Sequence, residues 1–172
     1  KEGEMVGYIG SNGAGKSTTI KMMSGILTPT SGTCLVNGIE PYQNRKQNAK
    51  NIGVVFGRRT HLWWDLPLSE TYTVLKEIYK VSDADFKERM EFFNEVLELQ
   101  DFIHSTVRTL SLGQRMRADL AAALLHNPKV LYLDEPTIGL DIVVKDRMRQ
   151  AIKEINEKYN TTVILTTHDL GD

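Results

Sequence analysis

Eight consecutive residues near the start of this chain, Gly10-Ser11-Asn12-Gly13-Ala14-Gly15-Lys16-Ser17, have the types and spacing needed to hold a phosphate chain. Glycines at 10, 13 and 15 let the backbone turn tightly with several N–H groups pointing inward, so that donors converge on one anion. Lys16 would place a point charge on the β- and γ-phosphates, and the Ser17 hydroxyl would ligate Mg²⁺. The candidate triphosphate site therefore runs over Gly10, Asn12, Gly13, Ala14, Gly15, Lys16, Ser17 and Thr18. The plain alternative is a glycine-rich turn that merely contains a lysine. Context speaks against it. The apolar run Met5-Val6-Gly7-Tyr8-Ile9 reads as a buried strand, and Thr18-Thr19-Ile20-Lys21-Met22-Met23 reads as a helix aiming its positive end at the same anion. The combination implies a bound nucleoside triphosphate.

A second chemical cluster follows the apolar run Val130-Leu131-Tyr132-Leu133, which ends in Asp134-Glu135-Pro136. A carboxylate at the carboxyl end of a buried parallel strand lies where α/β sheets bind ligands. Asp134 can hold Mg²⁺ there, directly or through a water, opposite Ser17. Glu135 leaves the strand and can polarise a water that attacks the γ-phosphate. His168 follows the run ending Thr166-Thr167, and a neutral imidazole there could hydrogen-bond the γ-phosphate and that water. Taken singly, each has a plainer reading: the acidic pair would cap the next helix, and the histidine would be structural.

These residues need a frame, and the pattern supplies one. Strands are expected at 5–9, 33–36, 52–56, 130–133 and 162–166. Between about 65 and 126 the pattern is helical: Phe86, Met90, Phe93 and Leu97 recur three and four apart, as do Leu112, Met116, Leu120 and Ala123. A last helix places Val144, Met148, Ala151, Ile152 and Ile155 on one side. Strands alternating with helices predict an α/β fold with a mostly parallel sheet and an inserted α-helical subdomain, and the phosphate loop makes it a P-loop NTPase, expected to be truncated at both ends. The division expected is an ATPase core at 1–64 and 127–172 and a helical subdomain at 65–126. With 172 residues, a net charge of −1 and no apolar run near the roughly 20 residues of a membrane span, the chain predicts one domain without a membrane-crossing helix. The balanced charge argues against a nucleic-acid partner. The lone Cys34 excludes a disulfide framework and reads as a small buried apolar residue in a reducing compartment. Both ends look cut from a longer polypeptide, with sheet edges left unpaired.

Leu110-Ser111-Leu112-Gly113-Gln114, standing before Val130–Pro136 and Gly139-Leu140-Asp141, closely resembles the nucleotide-binding domain of ABC-type ATPases. The order is that family's: Walker A at 10–17, signature at 110–114, Walker B at 130–135, D-loop near 137–141 and switch histidine at 168. The resemblance implies two such domains, in a homodimer or heterodimer, packed head to tail around two ATP molecules. Ser111, Leu112, Gly113 and Gln114 would meet the partner's ATP, with Glu135 and His168 catalytic and Ser17 and Asp134 at the metal. Ser111 is a good helix N-cap at a natural anion site, which explains the serine but not Gly113 and Gln114. The signature has Leu112 where the commonest pattern has glycine, and its backbone N–H remains available. Family members also carry an adenine-stacking aromatic before the P-loop and strands after the switch histidine; these positions fall outside the chain, which is expected to be weakly active or inactive by itself.

One departure concerns the chemistry directly. After Ile52-Gly53-Val54-Val55-Phe56 the family places a glutamine that touches Mg²⁺ and the attacking water, and here the chain reads Gly57-Arg58-Arg59. An arginine cannot ligate a cation. Either water completes the metal's coordination or Arg58 contacts phosphate, with a loose backbone at Gly57 making Arg59 an equal candidate. Downstream, His61-Leu62-Trp63-Trp64-Asp65-Leu66-Pro67 sets two adjacent tryptophans in a loop. In ABC transporters this neighbourhood receives the coupling helix of the membrane subunit, which an exposed aromatic patch would suit. The alternative is that both rings pack between the core and the helical block. The wording resembles a bacterial export-type branch. The function expected is ATP hydrolysis powering transport, with a transmembrane permease as partner at the cytoplasmic face of the membrane. A soluble ABC-type ATPase is the alternative. Repair-type members are excluded because only about 95 residues, with no sustained heptads, separate Walker A from the signature.

Overall fold

The computed structural model describes residues 1–57 and 59–168. Its frame is a four-stranded sheet in the order β1-β4-β3-β2, with every adjacent pair parallel. The strands are β1 (Met5–Ile9), β2 (Ile52–Phe56), β3 (Val130–Asp134) and β4 (Thr162–Thr167). The helices are α1 (Lys16–Met23), α2 (Arg45–Asn51), α3 (Leu68–Ile78), α4 (Asp83–Leu97), α5 (Leu112–Leu124) and α6 (Ile142–Tyr159). Parallel register brings the carboxyl ends together: Phe56 lies opposite Asp134, Asp134 opposite Thr166, and Ile9 opposite Thr167. The P-loop, Gly57, Glu135 and His168 all leave the sheet along this one edge.

The two faces of β3 show why the sheet is held so firmly. Val130 and Tyr132 point to one side and pack with Ile20 of α1, Val36 and Ile52. Leu131 and Leu133 point to the other, into a larger cluster that takes in Phe93 and Leu97 of α4, Met116 and Leu120 of α5, and Met148, Ile152 and Ile155 of α6. Burying one such side chain contributes roughly 1.5–3 kcal/mol. Because this cluster is continuous, α4 and α5 are anchored on the same core as the strands. The helix ends are set by local chemistry. Ser82 caps α4 by accepting from the Asp85 N–H, and Asp141 caps α6 by accepting from Val143 and Val144, both at 3.0 Å.

Three expectations need correction. β1 is not buried. Among the described residues it forms an edge, paired with β4 alone, and all five of its residues are exposed. The stretch 33–36 does not form a strand. Asn37 and Gly38 both have positive φ (50° and 75°) and fold a two-residue turn, so Val36 bridges only Ile39 while Leu35 stays 61% exposed. Cys34 is half-buried rather than buried, and that partial burial raises its thiol pKa. The sequence also concealed α2, whose Arg-Lys-Gln-Asn-Ala-Lys-Asn composition has no apolar period. It is tied down through buried Asn48, whose side-chain amide donates to the Met23 carbonyl.

Candidate nucleotide site

Gly13 and Gly15 have φ of 86° and 88°, the left-handed region where a Cβ is strained, and this curls the chain between β1 and α1. Lys16, 5% exposed, crosses beneath the curl, its ammonium donating to the carbonyls of Gly10 (2.5 Å) and Ser11 (3.0 Å). The loop is thereby held open as a ring with a buried cation under it. The Gly10 N–H donates to the Thr167 carbonyl, which fastens the loop to the end of β4.

Opposite the loop stands Asp134. Its Oδ1 accepts from the Ser17 hydroxyl at 3.0 Å and from buried Thr166 at 2.7 Å. Thr166 was not singled out from sequence, since a threonine inside a strand carries no distinguishing signal. Here it orients the carboxylate. Glu135 then leaves the strand with a φ of 51°, unusual for a residue bearing a Cβ. Its N–H donates to the Thr166 carbonyl, and its Oε1 lies 3.2 Å from Nδ1 of His168. The expected acidic pair and histidine are therefore adjacent, and capping of the next helix falls to Asp141 instead. A cavity of about 770 Å³ opens in front of these groups, lined by Asn12, Ser17, Phe56, Arg59, His61, Asp134 and Glu135 among others. That volume falls within the range of small-molecule sites.

Gly57 closes the other wall. A Cβ there would meet the Glu135 carbonyl oxygen at 2.0 Å, and the Gly57 N–H donates to the Asp134 carbonyl at 2.8 Å. The backbone at Gly57 is thus pinned, not loose: the position needs a glycine because two loops touch. Arg58 and its expected contacts lie outside the described residues, while Arg59 lines the cavity. Both tryptophans face outward, Trp63 at 41% and Trp64 at 46% exposed, and the Arg115 guanidinium sits 4.6 Å over the Trp64 ring.

The signature stretch is set apart from this cavity, at the start of α5. Ser111 and Gln114 form a reciprocal capping box: the Ser111 hydroxyl accepts from the Gln114 N–H at 3.2 Å, and the Gln114 side chain accepts from the Ser111 N–H at 2.9 Å. Gln114 thus has a local structural reason that the sequence reading lacked. So does Gly113, where a Cβ would come within 3.0 Å of Val144 on α6. Sequence reasoning missed Asp119 altogether. It lies buried on α5, and burial pushes its carboxyl up to about 7. The available signal was an acidic residue one turn after Arg115, ahead of the apolar run Leu120-Ala121-Ala122-Ala123-Leu124.

The family model described as ABC transporter matches residues 1–138. The chain belongs to the ABC transporter family. A second model, described as AAA domain, putative AbiEii toxin, matches residues 106–171. The ABC transporter ATP-binding protein NatA of Bacillus subtilis is 30% identical over 168 residues, covering 98% of this chain and 68% of NatA. Two further curated relatives, 33% and 37% identical, are spanned over only 62% and 55% of their lengths. Among solved structures, a dimeric ATP-binding cassette in a post-hydrolysis state with ADP and Pi aligns with a TM-score of 0.84 at 30% identity, covering 99% of this chain and 77% of that one. The cbiO1 protein of Clostridium perfringens, part of the transporter complex cbiONQ, aligns with a TM-score of 0.84 at 28% identity, over 98% and 68%. This ABC ATPase chain thus carries the P-loop α/β fold of nucleotide-binding relatives. Among the described residues, no helix is long and apolar enough to cross a membrane.

Proposed function

We propose that this chain is the ATP-binding and ATP-hydrolysing part of a transporter subunit, acting as one half of a head-to-tail pair whose closure on ATP drives transport. The observation that carries this reading is the approach of Ser17 to Asp134, beside the Glu135–His168 pair and above buried Lys16. Three groups of different chemistry then face one anionic substrate: a cation and N–H ring for the phosphates, hard oxygens for a metal, and a carboxylate for water.

Ser17 and Asp134 suit Mg²⁺. Both offer hard oxygens, brought within 3.0 Å of each other, and Asp134 would hold the ion directly or through a water. Bound there, the ion would neutralise charge on the β- and γ-phosphates. The remaining work belongs to the protein. Lys16 and the N–H groups of residues 13–18 hold the triphosphate, and Thr166 keeps the Asp134 carboxylate turned toward Ser17. Glu135 orients and polarises the attacking water, and His168 holds the Glu135 carboxylate in place and contacts the γ-phosphate.

Ser111, Leu112, Gly113 and Gln114 present the amino end of α5 to the partner domain's ATP, a site suited to an anion. On this reading residues 1–64 and 127–172 are the catalytic core and 65–126 the helical part that carries the signature. The outward tryptophans suit a permease contact at the cytoplasmic face of the membrane, in an export-type system. The test is Glu135→Gln in the full-length protein. It is expected to bind ATP normally and to hydrolyse it at least ~100-fold more slowly. Undiminished turnover would remove Glu135 from its role.

A further inference from the structure

Asp119 is a buried carboxylate that the nucleotide chemistry above does not use. It projects from α5 two turns beyond the signature cap and accepts, on Oδ1, from the Thr60 hydroxyl at 2.9 Å and from the His61 N–H at 3.3 Å. Thr60 in turn accepts from the Leu62 N–H at 3.1 Å, so one oxygen organises three consecutive residues of the loop leaving β2. On one side this loop lines the nucleotide cavity through Arg59 and His61. On the other it continues into the exposed Trp63-Trp64 pair, whose second ring is covered by Arg115 of the same helix. A separate cavity of about 370 Å³ lies where this loop, α5 and Ile138 meet, and Asp119 and Thr60 both line it.

We infer that Asp119 is a positioning residue for ATP turnover, fixing the loop at 59–62 to the signature helix so that the wall of the nucleotide cavity and the start of α5 move together. The inference rests on the ATPase reading above. A purely structural role fits the site poorly. Ala118 and Leu120 on either side are fully buried, and an apolar residue at 119 would avoid the cost of a buried carboxyl. What an apolar residue could not do is accept from a hydroxyl and a backbone N–H at once. The groups facing the carboxyl are Arg115 on its own helix, Tyr72 on α3, and Arg59 and His61 on the loop, with His126 in the adjoining cavity. Burial raises the Asp119 pKa, and the bonds from Thr60 and His61, then Arg115, oppose that rise, so the acceptor gains its charge near neutral pH.

The test measures steady-state ATP hydrolysis and ATP binding in the full-length protein for Asp119→Asn, Thr60→Val, the double variant and Thr60→Ser, from pH 6 to 8.5. Asp119→Asn and Thr60→Val are each expected to lower kcat about tenfold, with KM for ATP within about twofold of wild type. The double variant is expected to be no slower than either single one, because both weaken the same link, Asp119→Asn by replacing the charged acceptor with a neutral one and Thr60→Val by removing the donor. Thr60→Ser keeps the hydroxyl and is expected to restore turnover. Wild-type kcat is expected to rise through about pH 7, and Asp119→Asn to lose that limb. Folded variants with wild-type kcat and an unchanged pH profile would overturn the inference, as would losses that multiply in the double variant. A wild-type protein that neither binds nor hydrolyses ATP would instead overturn the reading beneath it.

Discussion

Replacing Asp119 by asparagine should stabilise the protein above neutral pH, with a smaller effect in acid. The carboxyl titrates at about 7 in the folded chain against 3.8 when exposed, with desolvation the largest cause and the bonds from Thr60 and His61 opposing it. Between those two values the folded state holds a proton that the unfolded state has released. Stability therefore falls as pH rises through this window, the reverse of an ion-paired carboxylate. At about 1.4 kcal/mol per pH unit, the full window is worth roughly 4 kcal/mol, and relaxation around the charge reduces this to about 2 kcal/mol. Asparagine keeps a carbonyl oxygen for Thr60 and has no proton to lose. Urea unfolding at pH 5 and pH 8 would measure the effect. The variant should exceed wild type by about 2 kcal/mol at pH 8, raising Tm by about 4–8 °C, and by less than half of that at pH 5, which lies in the lower part of the window between 3.8 and about 7. Equal pH dependence in the two proteins would refute the reasoning. A variant that is more stable yet slower would be the expected exchange of stability for function.

Lys16→Ala should lose most of its affinity for triphosphate, because the buried ammonium braces the loop from beneath through Gly10 and Ser11; calorimetric titration with ATP checks this, and unchanged affinity contradicts it. Gly57→Ala should push the Glu135 carbonyl by about 1 Å and slow turnover about 100-fold, read by steady-state hydrolysis, and wild-type turnover would show that the two loops do not constrain each other. Thr166→Val should loosen the Asp134 carboxylate and raise the Mg²⁺ concentration needed for half-maximal hydrolysis by about tenfold, with an unchanged requirement counting against its orienting role.

Much of this frame is legible from residues alone because the relevant signals are local. β3 announces itself as an unbroken apolar run, and α4 and α6 by their three- and four-residue spacing. The P-loop is legible because its chemistry lies within eight successive residues. Features that depend on neighbours distant in sequence are not. Met5–Ile9 has the composition of a covered strand, and only the strand order shows that it is an edge. The Val36–Ile39 turn wins over a longer strand because Asn37 and Gly38 both accept positive φ. Gly57 reads as a flexible hinge until Glu135 is seen against it. Thr60 and Asp119 stand 59 residues apart, so no local pattern could join them.

The central claim is that ATP joins two of these chains through the signature of one and the P-loop of the other. The most direct measurement is the mass in solution of full-length Glu135→Gln, by light scattering, with and without ATP. The account predicts a monomer without nucleotide and a dimer with ATP, and a monomer under both conditions when Ser111→Arg is added to block the amino end of α5. A Glu135→Gln protein that binds ATP and stays monomeric, or a dimer indifferent to Ser111→Arg, would contradict it.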